Sequence, residues 1–326
     1  MDHRHRVLTR RELLQALLAV GAGGATGAGS SPAGQRRAEG IRWAAGWLLW
    51  RDFKGRKIGL PEALRDLKVA GADGIEFTPR PGELEAMGLT LPAVAGMIKD
   101  AGLRVSAHYF SGPFLDPSKE SELFAQAREK FDGLRALGAR HLVVGPPATP
   151  PGMDRLEAIK RLAPVVNEVG RRAAAEGIAV GIHPHLNTLV ETPEETDCFL
   201  EATDPKLVGL ALDTGHYHLA GGDVVKVLEK HARRVNYLHF KDGVRPFKRP
   251  DFFPNLRDLG KGEVDFPGIM RALKAAGYSG WINVEQDFTA TSPRESALAS
   301  FTYVRERLRR AGTEARPTSA AFRRAP

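Results

Sequence analysis

Eight short apolar, β-branched runs recur along the chain, at 41–47, 72–77, 104–109, 141–145, 178–183, 208–213, 235–240 and 281–286. Between and after them lie helical stretches at 61–70, 91–101, 120–137, 154–176, 193–202, 223–231, 266–276 and 293–310. Parallel neighbours need a crossover, and a helix is the usual one, so strand and helix alternating eight times predicts a single-domain α/β protein, the (β/α)8 TIM barrel. Five helical stretches run into a glycine, Gly71, Gly102, Gly138, Gly177 and Gly277, just ahead of the next strand. A glycine there supplies the left-handed cap that lets a helix stop. An open doubly wound sheet is the alternative, but no Gly-rich dinucleotide fingerprint follows the first strand.

Four of the strand ends carry chemistry. They read GIHPH (181–185), LDTGH (212–216), LHFKD (238–242) and NVEQD (283–287). In a barrel the C-terminal ends of the strands open onto one shared face. Alternate residues of a strand share a side, which groups His183 with His185, His239 with Lys241, and Glu285 with Asp287, opposite the bulky Ile182, Leu212, Leu238, Phe240 and Val284. The apolar parity belongs under the helices and the polar parity in the barrel mouth. His183, Asp213, His239 and Glu285 are then expected to converge on one divalent metal. A mixed nitrogen and oxygen set suits Mn, Co, Fe or Zn, and Mg less well as histidines accumulate.

This arrangement resembles the xylose-isomerase-like TIM barrel superfamily of sugar phosphate isomerases and epimerases, over about residues 41–310. The stretch HPHLNTLVETPEETDCFLEATDPKLVGLALDTGHYHLAGGD, from His183 to Asp223, with the later LHFKD, is similar more narrowly to inosose dehydratase and its relatives. The resemblance implies strands five to eight each giving one ligand to a single metal. In the isomerases the fifth-strand ligand is Glu, and here it is His183. The paired carboxylates that move a proton symmetrically through an enediolate are thereby lost. A dehydratase needs a less symmetrical set: a base beside a ketone, a metal for the enolate oxygen and an acid for the departing hydroxyl. The expectation is a metal-dependent lyase that acts on a keto-cyclitol or keto-sugar by proton abstraction and β-elimination. A sugar isomerase or epimerase is the alternative. A small carbohydrate or cyclitol is the expected partner.

Further candidates surround this set. Lys241 shares parity with His239 and could stabilise an enolate oxygen or protonate a leaving group. His216 resembles a substrate-touching histidine of the superfamily, and could also shuttle protons or orient a ligand. Glu76 in DGIEF and His108 in SAHYF resemble substrate-contacting positions and are candidate acids or bases. Trp47 and Trp50 could wall a sugar ring or belong to the core; His185 is a further contact, ligand or base. The loop 243–263, with Phe247, Phe252 and Phe253, reads either as a lid hinged at Leu259-Gly260-Lys261-Gly262 or as a contact between copies in a homo-oligomer.

The formal charge of +8 suggests nucleic acid, but its location does not. Residues 1–37 hold six arginines against two acids and 305–326 seven against two, so the body between is close to neutral. A groove that tracks phosphates needs its charge on the body, which also disfavours a DNA-repair endonuclease on this barrel. Thr9-Arg10-Arg11-Glu12-Leu13-Leu14-Gln15 resembles a twin-arginine export signal, followed by an apolar Gly/Ala-rich stretch. The expected organisation is signal and linker at 1–37, barrel at 38–311 and a basic, disordered tail at 312–326. The expected location is periplasmic or membrane-anchored, and cytoplasmic if the signal does not function. The single cysteine, Cys198, excludes an internal disulfide and a cysteine-based zinc cluster.

Overall fold

The structure, a computed structural model, describes residues 40–51, 53–55 and 58–309. The twin-arginine-type stretch and the basic tail lie outside the described residues. Among the described residues eleven strands are present: β1 Arg42–Gly46, β2 Gly74–Glu76, β3 Arg104–Val105, β4 His108–Phe110, β5 His141–Val144, β6 Ala179–Ile182, β7 Val208–Asp213, β8 Val235–Phe240, β9 Asp242–Gly243, β10 Leu256–Arg257 and β11 Trp281–Val284. Nine of them form one sheet in the order β3-β2-β1-β11-β8-β7-β6-β5-β4, with every described pairing parallel.

The two edge strands of that sheet, β3 and β4, are consecutive in the chain and separated only by Ser106 and Ala107. Ser106 N donates to Ile75 O (2.9 Å) and Phe77 N to Ala107 O (3.3 Å), so the ladder with β2 runs on past β3. The sheet therefore closes into eight staves, the third one interrupted, and helices fill each crossover as the alternating pattern requires.

Outward side chains such as Ile75, Leu142, Val144, Ile182, Leu210, Leu212, Leu238, Phe240 and Ile282 are buried beneath the helices in one core. Each contributes about 1.5–3 kcal/mol relative to exposure. Inward, Ala44, Ala107, Val143, Ala211, Tyr237 and Trp281 form a second, smaller cluster that fills the barrel floor. The one polar pair of that floor is satisfied, Ser106 Oγ to Tyr237 Oη at 2.8 Å.

Helix starts and stops follow local chemistry. Thr192 and Ser292 each begin a helix with a reciprocal capping box to Glu195 and Glu295. Gly71, at φ 90°, ends the helix Leu60–Ala70 by returning its N–H to Leu67 O. The sequence reading missed a short helix, Thr214–Leu219, immediately after β7. Asp213 caps it, accepting the His216 N–H at 2.8 Å on Oδ1. That bond fixes the carboxylate and directs its other oxygen away from the helix.

Candidate metal centre and active site

His183, Asp213 and His239 converge. Each offers a ligand atom within 4.8 Å of the others, and all three residues are buried. Glu285 joins them, its Oε2 2.6 Å from His239 Nδ1. The ring nitrogens are assigned by their partners. His183 Nδ1 faces Ala211 O at 3.3 Å, which leaves Nε2 for the site. His239 Nε2 is 2.7 Å from Glu76 Oε2, which leaves Nδ1. Glu76 thus holds and orients His239 from behind, the carboxylate–histidine arrangement that fixes a metal ligand.

Asp213 Oδ2, His239 Nδ1 and Glu285 Oε2 are buried and make no well-directed hydrogen bond; their contacts are ionic, His239 Nδ1 to Glu285 Oε2 at 2.6 Å and the Lys241 ammonium to Asp213 Oδ2 at 3.2 Å. A buried polar atom without a directed hydrogen bond costs about 1–3 kcal/mol, and a cation between these three would give each a partner. The charges agree. Burial alone would lower the His239 imidazole, yet Glu285 and Glu76 raise it well above its ordinary value. Against burial, His239 and Lys241 hold Glu285 well below the usual carboxylate range. Two carboxylates about one imidazole call for positive charge, and a divalent cation on these nitrogens and oxygens would supply it. A second group, His183, His185 and His216, is also compact. In it His216 Nε2 accepts from the Lys241 ammonium at 2.9 Å while Nδ1 has no hydrogen-bond partner.

Lys241 is buried and does not line the cavity. Its ammonium lies 2.7 Å from Asp287 Oδ2, 2.9 Å from His216 Nε2 and 3.2 Å from Asp213 Oδ2. Despite burial, Asp213 and Asp287 hold it well above its usual value, so it stays charged. His216 is kept neutral by burial and by Lys241, and its ring stacks on His185 with centroids 3.7 Å apart. His185 donates Nδ1–H to Leu186 O (2.7 Å), which frees Nε2 as an acceptor.

Beside these groups is an open cavity of about 270 Å³, lined by Gly46, Trp47, Leu48, Arg51, Glu76, Thr78, Tyr109, His183, His185, Glu285 and Asp287. It approaches the roughly 300 Å³ at which small-ligand pockets begin. Trp47 lines it as expected, with Nε1 donating to Glu83 Oε1 at 3.2 Å. Trp50 does not; it is core, its Nε1 bonded to Asp66 Oδ2 at 3.1 Å.

His108 is corrected. It faces outward, against Gly133 of the helix Glu120–Ala136, and neither ring nitrogen has a partner. Burial, with Lys130 nearby, pushes it down to about 3, so it is a neutral core residue. The cause is the break in the third stave. Ser106 and Ala107 both face the barrel interior, an extra residue on one side, which flips every later side chain. Tyr109 takes the inward place instead. Simple alternation missed it, as it did Thr78 and Arg51 as lining residues, whereas Asp287 lines the cavity on the parity it shares with Glu285; the local signal for Tyr109 is the Gly145 that makes room for the ring.

The long loop is also settled in part. Phe252 is buried against His216 and His185, centroids 4.9 and 5.8 Å apart, and clusters with Leu186, Leu219 and Leu256. Arg249 pairs with Glu191, and Asn187 Nδ2 donates to Pro250 O at 2.9 Å. The expected hinge is pinned: the buried Asp242 carboxylate accepts the backbone N–H groups of Gly243, Gly260 and Gly262 at 2.9 Å and of Val264 at 3.2 Å.

Known proteins resemble the chain over most of its length. A family model described as a xylose isomerase-like TIM barrel matches residues 64–307. An inosose dehydratase of Lactiplantibacillus plantarum is 31% identical over 302 residues, 82% of this chain and 96% of that protein. The inosose dehydratase of Bacillus velezensis is 30% identical over 81% of this chain and 95% of its own length. Among solved structures, a probable 3-DHS dehydratase from Bacillus anthracis superposes with a TM-score of 0.70 at 14% identity, covering 82% of this chain and 99% of that one. The IOLI protein, solved with a zinc atom, gives 0.68 at 18% identity over 80% and 96%. These two likenesses speak to the fold.

Proposed function

The chain belongs to the xylose isomerase-like TIM barrel family, and from that premise we propose a divalent-metal-dependent lyase that removes water from a neutral keto-cyclitol or keto-sugar. The reading is carried by the convergence of the buried ligand atoms of His183, Asp213, His239 and Glu285 beside a cavity that Glu285 itself lines. The relatives named inosose dehydratase support elimination as the reaction class. His183, Asp213, His239 and Glu285 would hold the metal. Two imidazoles and two carboxylates suit Mn, Co, Fe or Zn over Mg, and the zinc of the IOLI protein supports that range.

A bound divalent cation supplies Lewis acidity for a substrate carbonyl. The chain's own groups then divide the proton work. His185 presents a free Nε2 to the cavity and takes the proton next to the carbonyl. The C–O bond one carbon further on breaks, and its hydroxyl leaves as water with a proton passed from the Lys241 ammonium through Asp287, which lines the cavity. His185, His216, Lys241 and Asp287 are contiguous, which lets the proton return and closes the cycle.

The lining offers a phosphate or carboxylate on the substrate a single cationic side chain, Arg51, which has Glu83 4.0 Å away, so a neutral substrate fits it better. Replacement of the isomerases' fifth-strand carboxylate by His183 weighs against the isomerase alternative.

The test is metal analysis of purified protein, then incubation with a keto-inositol, a keto-glycoside and a free ketose. The expected result is loss of one water by mass together with ultraviolet absorbance from a conjugated product. Conversion at constant mass would assign the protein to the isomerases instead. Export by the Arg10-Arg11 signal belongs to the same proposal: a reporter fused to residues 1–37 should leave the cytoplasm, and should be retained when both arginines become lysine.

A further inference from the structure

We propose that Tyr109 is a substrate-contacting residue whose hydroxyl hydrogen-bonds a hydroxyl of the bound ligand, and that Gly145 exists to seat it. The inference rests on the keto-cyclitol reading above and adds a determinant of how that substrate is held. Three elements position the side chain. Thr78 Oγ1 accepts the Tyr109 N–H at 2.6 Å, which fixes the backbone at the end of β4. His183 meets the ring edge to face, centroids 5.5 Å apart. Gly145, the residue after β5, lies under the ring: a Cβ built there would overlap the phenolic oxygen and stand 2.7 Å from Cε1. Real Cβ atoms essentially never sit so close, so the fourth stave gives up its own side chain and the tyrosine crosses its end to reach a metal ligand.

The hydroxyl has no protein hydrogen-bond partner among the described residues, although Tyr109 lines the cavity. A phenol carried into a site this carefully and left without a partner needs an acceptor or donor from the ligand. Its neighbours His108 and Phe110 turn to the helices, so Tyr109 is the side chain that β4 contributes to the site.

The test is calorimetric binding of a keto-inositol to metal-loaded wild type, Tyr109→Phe and Gly145→Ala, alongside metal content and thermal unfolding. Tyr109→Phe should keep metal and unfolding temperature while binding roughly tenfold more weakly, the worth of one hydrogen bond. Gly145→Ala should weaken binding at least as much by displacing the ring. The double variant should lose little more than Gly145→Ala alone, because a displaced hydroxyl is already out of reach. Equal binding by Tyr109→Phe and wild type overturns the inference and leaves the lyase reading standing. Absence of binding by wild type overturns both.

Discussion

Tyr237 and His239 are two residues apart on β8, on the same inward face, with ring centroids 5.4 Å apart. Both are buried, yet they belong to different kinds of interior. At the floor, the Tyr237 hydroxyl is answered by Ser106, and the surrounding Ala44, Val143, Ala211 and Trp281 are apolar. One step up, His239 Nδ1 and Glu285 Oε2 meet each other at 2.6 Å and Asp213 Oδ2 meets the Lys241 ammonium at 3.2 Å, ionic contacts without a directed hydrogen bond to any of the three ligand atoms. The Tyr237–Ser106 pair is complete within the chain and stabilises it; the ionic cluster above still has ligand atoms to offer a cation.

That contrast is broken most severely at Asp213. Asp213→Asn keeps the shape and the cap on the helix Thr214–Leu219 but removes a ligand charge; metal content should fall away and turnover with it, by more than roughly a thousandfold, since metal polarisation is worth several kcal/mol. An active, metal-loaded Asp213→Asn protein would place the chemistry elsewhere. Glu76→Gln sharpens the line between ligand and support. It leaves His239 in place but weakens the bond that orients it, so metal affinity measured by competition with a chelator should drop by about 10–100-fold, with turnover restored at high metal. Failure to recover with added metal would make Glu76 a participant in proton transfer.

The floor should respond in the opposite way. Ser106→Ala leaves the Tyr237 hydroxyl without its partner and should cost about 1–2 kcal/mol in urea unfolding, with kcat/KM unchanged. A kinetic defect there would mean that the floor reaches into the mouth. Smallest of all is His108→Leu. With no partner on either ring nitrogen and a helix against it, the residue should be replaceable with turnover within about twofold and stability equal or higher. A large loss of activity would reinstate it as a catalytic candidate.

The same contrast explains what could be read before the fold was known. The eight staves were legible because each is an apolar β-branched run between helix stops, and Gly71 shows the physics: a left-handed residue ends one element and starts the next. The convergence of His183, Asp213, His239 and Glu285 was legible because strand alternation carries from Ile182 to His183 and from Leu238 to His239 without interruption. His108 failed on the same rule, because two inward residues in succession at Ser106 and Ala107 reverse the alternation, and nothing local announces the reversal. The support by Glu76 was hidden for another reason. Its partner His239 lies 163 residues away, a distance that only barrel closure spans. The short helix after Asp213 was hidden because TGHYHL has weak helical propensity, and the Asp213 cap with its buried surroundings overrides it.

Asp242 gathers both ends of the aromatic loop at one carboxylate, so the segment between 244 and 259 enters and leaves the barrel through the same knot. Lys241 and His239 lie on the strand side of that knot and are held whether the segment is long or short. A lineage could therefore lengthen, trim or exchange this stretch, and with it the roof over His185 and His216, without refolding the staves beneath. The knot separates a segment that can vary from the staves that carry His239 and Lys241.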